Sequence, residues 1–272
     1  MQKFKKMLSI CIVAALVFGT VGWTDLSSMH SYAADNGPLF DGGDGTPQNP
    51  YVIGTTGQLF NMRQNPSASY VLENDLIFTE MNFNSDPADQ PADEDFYNGG
   101  NGWDSLFTAG TPFTGTFDGQ GFSISGVLSK GTSGWNHRTV FGYNNGTIEN
   151  VTLENYTFAM DESYEYDPGA LVAFNLKAGV MDNCHATMDL TTKRQLLLSI
   201  FAASLTSVNE GLVTNCTARM NVEGRDAWGM VGLVNLNKGT ISDSATSGSI
   251  QNNSKGICGV GGIAKTNTAA GS

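Results

Sequence analysis

The chain has 272 residues, 14 Lys and Arg against 26 Asp and Glu, 40% hydrophobic residues and 33 glycines. The acidic balance argues against nucleic acid or an acidic polysaccharide as partner, because phosphate and uronate recognition needs clustered Lys and Arg. Glycine well above its usual share of about 7% points to many turns and short strands, and four cysteines are too few to replace a hydrophobic core.

The first 33 residues carry Lys3, Lys5 and Lys6 before an apolar run from Met7 to Trp23, then a polar segment ending Ser31-Tyr32-Ala33. This pattern predicts a secretory signal peptide with cleavage after Ala33, the apolar run being marginally short for a membrane anchor. Cys11 follows Ile10, where a lipidation site wants a small residue. Removal of the segment leaves 11 basic against 25 acidic residues, a net charge of about −14. It also leaves Cys184, Cys216 and Cys258, an odd number that fits no self-contained disulfide framework. No second long apolar run follows, so no later membrane span is expected.

Residues 34–130 read as an N-terminal cap and the first turns of a coil. Tyr51 to Ile53 predict a strand, and Thr55 with Gln58 form a Thr-x-x-Gln capping box that opens a short helix through about Gln64. The segment SYVLENDLIF predicts a strand that turns at Asn74 and Asp75 and resumes at Leu76. Residues 84–102 hold two prolines, the acids Asp93, Glu94 and Asp95 and no apolar rhythm, which reads as a surface insertion. In FTGTFDGQGFSISGV, from Phe113, the Asp118-Gly119 pair between alternating strands signals a turn. Phe113, Phe117, Phe122, Ile124 and Val127 are its expected core residues.

Residues 131–272 contain internal repeats. GTIENVTLENYT from Gly146, GVMDNCHATMDL from Gly179, GLVTNCTARMNV from Gly211 and GTISDSATSGSI from Gly239 align without a gap, with starts 33, 32 and 28 residues apart. Their columns hold Ile148, Met181, Val213 and Ile241; Asn150, Asn183, Asn215 and Asp243; and Val151, Cys184, Cys216 and Ser244. Apolar residues at fixed offsets around a turning Asn or Asp describe a coiled path in which neighbouring turns are parallel strands, an all-β parallel β-helix. A second apolar and small segment precedes each glycine, in VFGYNNG, LVAFNLKAG, IFAASLTSVNEG, MVGLVNLNKG and VGGIAKTNTAAG. The last of these opens a turn that is incomplete at Ser272.

The order of GDGTPQNPYVIGTTGQLFNMR, YVLENDLIF, Trp103 with FTGTFDGQGFSISGV, and VFGYNNGTIENVTL resembles the N-terminal region of bacterial surface proteins with GLUG repeats. Such regions occur in adhesin-like proteins and ahead of the catalytic domain of immunoglobulin A protease metallopeptidases. The resemblance covers most of residues 40–272, with LVAF and IFAA departing from the Gly-Leu-apolar-Gly core. It implies a right-handed parallel β-solenoid on the outside of a bacterium, and it supplies no activity for the repeats. The zinc-binding His-Glu-x-x-His helix of the metallopeptidase members is missing, His137 and His185 being the two histidines left after the signal segment.

Candidate sites weigh against simpler readings. Asp118 would need a second carboxylate for acid–base chemistry, with Asp75, Asp104 or Glu149 as candidates, but reads first as a corner residue beside Gly119. The column Asn150, Asn183, Asn215 and Asp243 reads as an internal amide ladder. Cys184 and Cys216, one turn apart, read as buried free thiols, although their stacking also permits a disulfide. Calcium would look for oxygens at Asp93, Glu94 and Asp95 or at Asp161, Glu165 and Asp167, but neither set has the spacing of a known calcium loop, and solvated acidic loops are the simpler account. Tyr97, Trp103, Trp135, Tyr143, Tyr164 and Tyr166 lie on or near predicted loops, where aromatic faces serve sugar binding.

These observations point to a non-catalytic extracellular module of a bacterial surface or secreted protein, adhesive or structural, with a surface glycan or a host protein as partner and no cofactor. The alternatives are a carbohydrate-binding or carbohydrate-active β-helix, and an N-terminal spacer of a larger secreted metallopeptidase, continued by further repeats or domains.

Overall fold

The structure, a computed structural model, describes residues 39–85, 94–131, 138–160, 169–192, 203–224, 232–252 and 262–268. All belong to one compact unit, Ala34–Ser272. The expected signal segment, His137, Trp135, Tyr164, Tyr166, Asp93, Asp161, Glu165, Asp167 and Cys258 lie outside the described residues.

Strand β1 (Tyr51–Ile53) leads into helix α1 (Thr56–Asn61), which a 3-10 turn extends over Met62–Gln64. The capping box is formed: Gln58 N donates to Thr55 Oγ1 at 3.1 Å, and Thr55 N donates to Gln58 Oε1 at 3.2 Å. Two of the helix's orphan amides are thereby satisfied reciprocally. The chain continues through β2 (Ser69–Leu72), β3 (Leu76–Ile77), β4 (Thr116–Asp118), β5 (Ser123–Ser125) and β6 (Leu128–Gly131).

A regular pattern then sets in, three strands to a coil. The first coil holds β7 (Phe141–Asn144), β8 (Thr147–Glu149) and β9 (Thr152–Met160); the second holds β10 (Val172–Asn175), β11 (Val180–Asp182) and β12 (His185–Thr192). The third holds β13 (Thr206–Asn209), β14 (Leu212–Thr214) and β15 (Thr217–Gly224), and the fourth holds β16 (Val234–Asn237), β17 (Thr240–Ser242) and β18 (Ala245–Asn252). β19 (Ala264–Asn267) begins a further one.

The strands of successive coils pair in parallel into three sheets, in the orders β1-β2-β4-β8-β11-β14-β17, β7-β10-β13-β16-β19 and β3-β5-β9-β12-β15-β18. The protein is a parallel β-solenoid. In-register pairing stacks like positions: Tyr51, Tyr70, Phe117, Ile148, Met181, Val213 and Ile241 form one inward column. All seven belong to or pack against the hydrophobic core, which therefore continues from coil to coil.

Two features differ from the expectations. Register pairs Val172 with Thr206 and Phe174 with Val208, so LVAF is matched by Leu205-Thr206-Ser207-Val208 and not by IFAA. The insertion at 84–102 is also more than surface. Its Phe96 is 1% exposed and packs with Phe60, Phe78 and Trp103 at ring-centroid distances of 5.1 to 5.5 Å. One aromatic anchor makes no rhythm, and so leaves no periodic signal.

Candidate functional site

Every coil turns a corner after its second strand, and Asn150, Asn183, Asn215 and Asp243 occupy those corners with φ of 53°, 51°, 52° and 47°. Left-handed backbone disfavours a Cβ, and Asn and Asp tolerate it best among side-chain-bearing residues. The physical demand on this column is therefore backbone conformation. Asn183 Nδ2 donates to Asn150 Oδ1 at 2.9 Å and Asn150 Nδ2 to Asp118 Oδ1 at 3.0 Å, but Asn215 Nδ2 turns to Asp182 Oδ1 at 2.9 Å. Asn183, Asn215 and Asp243 are exposed. The column is an outer corner file and not the internal ladder expected of it.

The internal ladder lies one corner earlier. Asn144, Asn175 and Asn209 are fully buried, and Asn237 nearly so. Nδ2 of each donates to Oδ1 of the next, from Asn144 through Asn175, Asn209 and Asn237 to Asn267, at 2.8 to 2.9 Å. The same nitrogens bond the carbonyls of Val180, Leu212 and Thr240, while Asn144 and Asn209 Oδ1 accept from Gly146 and Gly211 N. Carboxamides can do this because each carries donors and an acceptor. The signal was present as an Asn two residues before the corner glycine at 144, 209 and 237. The longer spacing of Asn175-Leu-Lys-Ala-Gly179 hid the column.

Asp118 ends β4, and its Oδ1 accepts from Gln120 N at 2.8 Å. The tight turn centres one residue later than the sequence suggested. Gln120 and Gly121 have φ of 53° and 85°, and Phe122 N bonds Gly119 O at 2.8 Å. Gly119 is required for another reason: a Cβ there would lie 2.5 Å from Asn150 O and 2.6 Å from Val151 Cβ.

Of the carboxylates considered as partners, Glu149 is brought beside Asp118. Register sets Asp118, Glu149 and Asp182 in one outward row on β4, β8 and β11. Partial burial raises the Glu149 pKa above its ordinary value, and the charges of Asp118 and Asp182 raise it further. Thr214 and Ser242 continue the row and bond each other at 2.9 Å. Asp75 is engaged elsewhere, accepting from Ser123 N at 2.8 Å, and Asp104 meets Arg138 at 3.7 Å. The row lies on the outer side of a sheet. An open cavity of about 340 Å³ sits instead at the last coil, lined in part by Ile241, Ser244, Ile263 and Asn267.

Cys184 and Cys216 are fully buried free thiols in one column. Cys184 N donates to Cys216 Sγ at 3.4 Å, and Cys216 N to Ser244 Oγ at 3.1 Å. The side-chain heteroatom of each coil thus satisfies a corner amide of the coil before. Burial holds the Cys184 thiol well above its ordinary pKa.

The remaining candidates are placed apart. Asn82 Nδ2 donates to the Glu94 backbone carbonyl, and Asp95 Oδ1 accepts from Tyr97 N at 3.0 Å. Among the described residues no three His, Cys, Asp or Glu side chains gather to hold a metal ion. His185 Nδ1 lies 2.7 Å from Thr217 Oγ1. Trp103 is not on a loop surface: it is 0% exposed, and its Nε1 donates to Val140 O. Half-buried Tyr143 stacks on Phe174 of the next coil at 4.5 Å and 13°, so one face of each ring is already covered.

No family model matches the chain. It is 31% identical over 158 residues to a candidate Gly-rich membrane protein of Evansella cellulosilytica, a match that takes in 57% of this chain and 16% of that one. Its fold is similar to the crystal structure of a candidate immunoglobulin A1 protease from Bacteroides ovatus, with a TM-score of 0.54 and 21% identity over 86% of this chain and 66% of that one. The second likeness is one of fold. The chain therefore spans about a sixth of the curated relative it matches. Among the described residues no helix is long and apolar enough to cross a membrane.

Proposed function

We propose that this protein is a non-catalytic β-solenoid module of a bacterial surface or secreted protein, with a structural or adhesive role outside the cell. The carrying observation is a repeating interior joined by segments of varied sequence. The carboxamide file runs unbroken from buried Asn144 through Asn237 and ends on exposed Asn267, while the segments joining one coil to the next differ in length and sequence. Such a stack sets a length and offers faces without requiring a reactive centre. The partial match to a much longer Gly-rich membrane protein supports a modular part of a larger surface molecule. An antibody raised against the purified chain should label intact cells of the source organism, and surface proteolysis should remove the label; labelling only after permeabilisation would reject the extracellular role.

The likeness to the Bacteroides ovatus structure favours one narrower reading, a spacer joined to a metallopeptidase. A His-Glu-x-x-His helix elsewhere in the same reading frame would support it, and a wall-anchoring domain there would favour adhesion.

A further inference from the structure

We propose that Cys184 and Cys216 are a latent inter-coil disulfide, closed when the protein folds in the presence of a low-molecular-weight disulfide. Register brings them together, since their neighbours His185 and Thr217 are paired in adjacent parallel strands. In-register residues of such strands sit about 4.8 Å apart, inside the window of roughly 4.4–6.8 Å between Cα atoms that a disulfide spans. The sulfurs are also aimed usefully. Cys216 Sγ leans toward the preceding coil, 3.4 Å from Cys184 N and 3.5 Å from Met181 O. Cys184 Sγ bonds Ile148 O at 3.3 Å, one coil further back, and Asp182 O at 3.4 Å. Closing the bond requires Cys184 to give up its contacts with Ile148 O and Asp182 O, and Cys216 its contact with Thr214 O at 3.0 Å; these are thiol bonds, weak beside those of a hydroxyl.

The step balances as thiol–disulfide exchange. The Cys216 thiolate, its proton gone to solvent, attacks one sulfur of the oxidant; a mixed disulfide forms and one small thiolate leaves. The Cys184 thiolate then attacks the Cys216 sulfur, the inter-coil S–S bond forms, and the second small thiolate leaves. Two electrons pass to the oxidant, and the two protons lost by the cysteines end on the two released thiols. Either cysteine can make the first attack, because the exchange takes place while the coils are still forming or open. Both side chains are 0% exposed, which confines the exchange to folding or to opening of the third coil.

The test is refolding of the full chain from denaturant with oxidised glutathione, against refolding in dithiothreitol, followed by alkylation and peptide mass mapping. The expected result is a Cys184–Cys216 linked peptide, a melting temperature several degrees above that of the reduced protein, and reversal of both by dithiothreitol. Cys216→Ser should lose the link and the shift while still folding, because a hydroxyl oxygen can accept the Cys184 amide as Ser244 accepts that of Cys216. Cys258→Ser should keep both. Alkylation of Cys184 and Cys216 after oxidative refolding to the native fold, or linkage of either to Cys258 or Cys11, would overturn the proposal.

Discussion

Asn209 shows what a single residue does in this stack. Its carboxamide accepts from Asn175 and from Gly211 N and donates to Asn237 and Thr240 O, so Asn209→Ala leaves several buried polar groups unpaired at once. Each such orphan costs about 1–3 kcal/mol, and urea denaturation should show a loss of at least about 2 kcal/mol. Asn183→Ala, at an exposed corner, should cost about 1–2 kcal/mol, chiefly through its left-handed backbone conformation. The sequence displayed the outer column more clearly than the inner one because the corner conformation imposes Asn or Asp at a constant offset from a glycine. The buried file follows the hydrogen-bond geometry of the stack and tolerates a local insertion. Asp118→Asn should be nearly silent in the same assay, since an amide oxygen can still accept from Gln120 N. Gly119→Val should prevent native folding, its Cβ colliding with backbone and with Val151.

Glu149 gives the residue scale its pH dependence. Its folded pKa is raised, by burial first and then by Asp118 and Asp182, so its contribution to stability is present in acid and is lost as pH rises through the folded value. Glu149→Gln should therefore raise the melting temperature at pH 7 and leave it little changed at pH 4. An equal or lower melting temperature at pH 7 would show that folding does not disfavour the Glu149 charge.

At the scale of elements, legibility follows periodicity and local chemistry. Helix α1 was readable because its start is a reciprocal side-chain motif four residues long, and Thr55→Ala should cost about 1 kcal/mol through the lost cap. The corner strands were readable because in-register stacking demands recurrence. The anchor at Phe96 was not, because one ring in an acidic and proline-containing segment has no neighbour in sequence to announce it. Its partners Phe60, Phe78 and Trp103 come from three other places in the chain. Phe96→Ala should cost about 3–5 kcal/mol and shift tryptophan fluorescence to the red as Trp103 meets water; an unchanged spectrum would place Phe96 outside that cluster.

The described coils form a stack in which each is held mainly by the coil before and the coil after. Stability in such an array is carried by nearest-neighbour interfaces, and damage should spread along the axis from the coil that is struck. The aromatic N-terminal end, with α1 and the Phe60–Trp103 cluster, is built differently from the carboxamide-threaded coils, so the two should respond separately. Hydrogen exchange by mass spectrometry on wild type and Asn209→Ala tests this most directly. Protection should fall in β10 to β18, on both sides of the substitution, while β1, α1 and β2 keep theirs. Loss confined to β13, or uniform loss through to β1, would contradict a solenoid threaded by its buried asparagines.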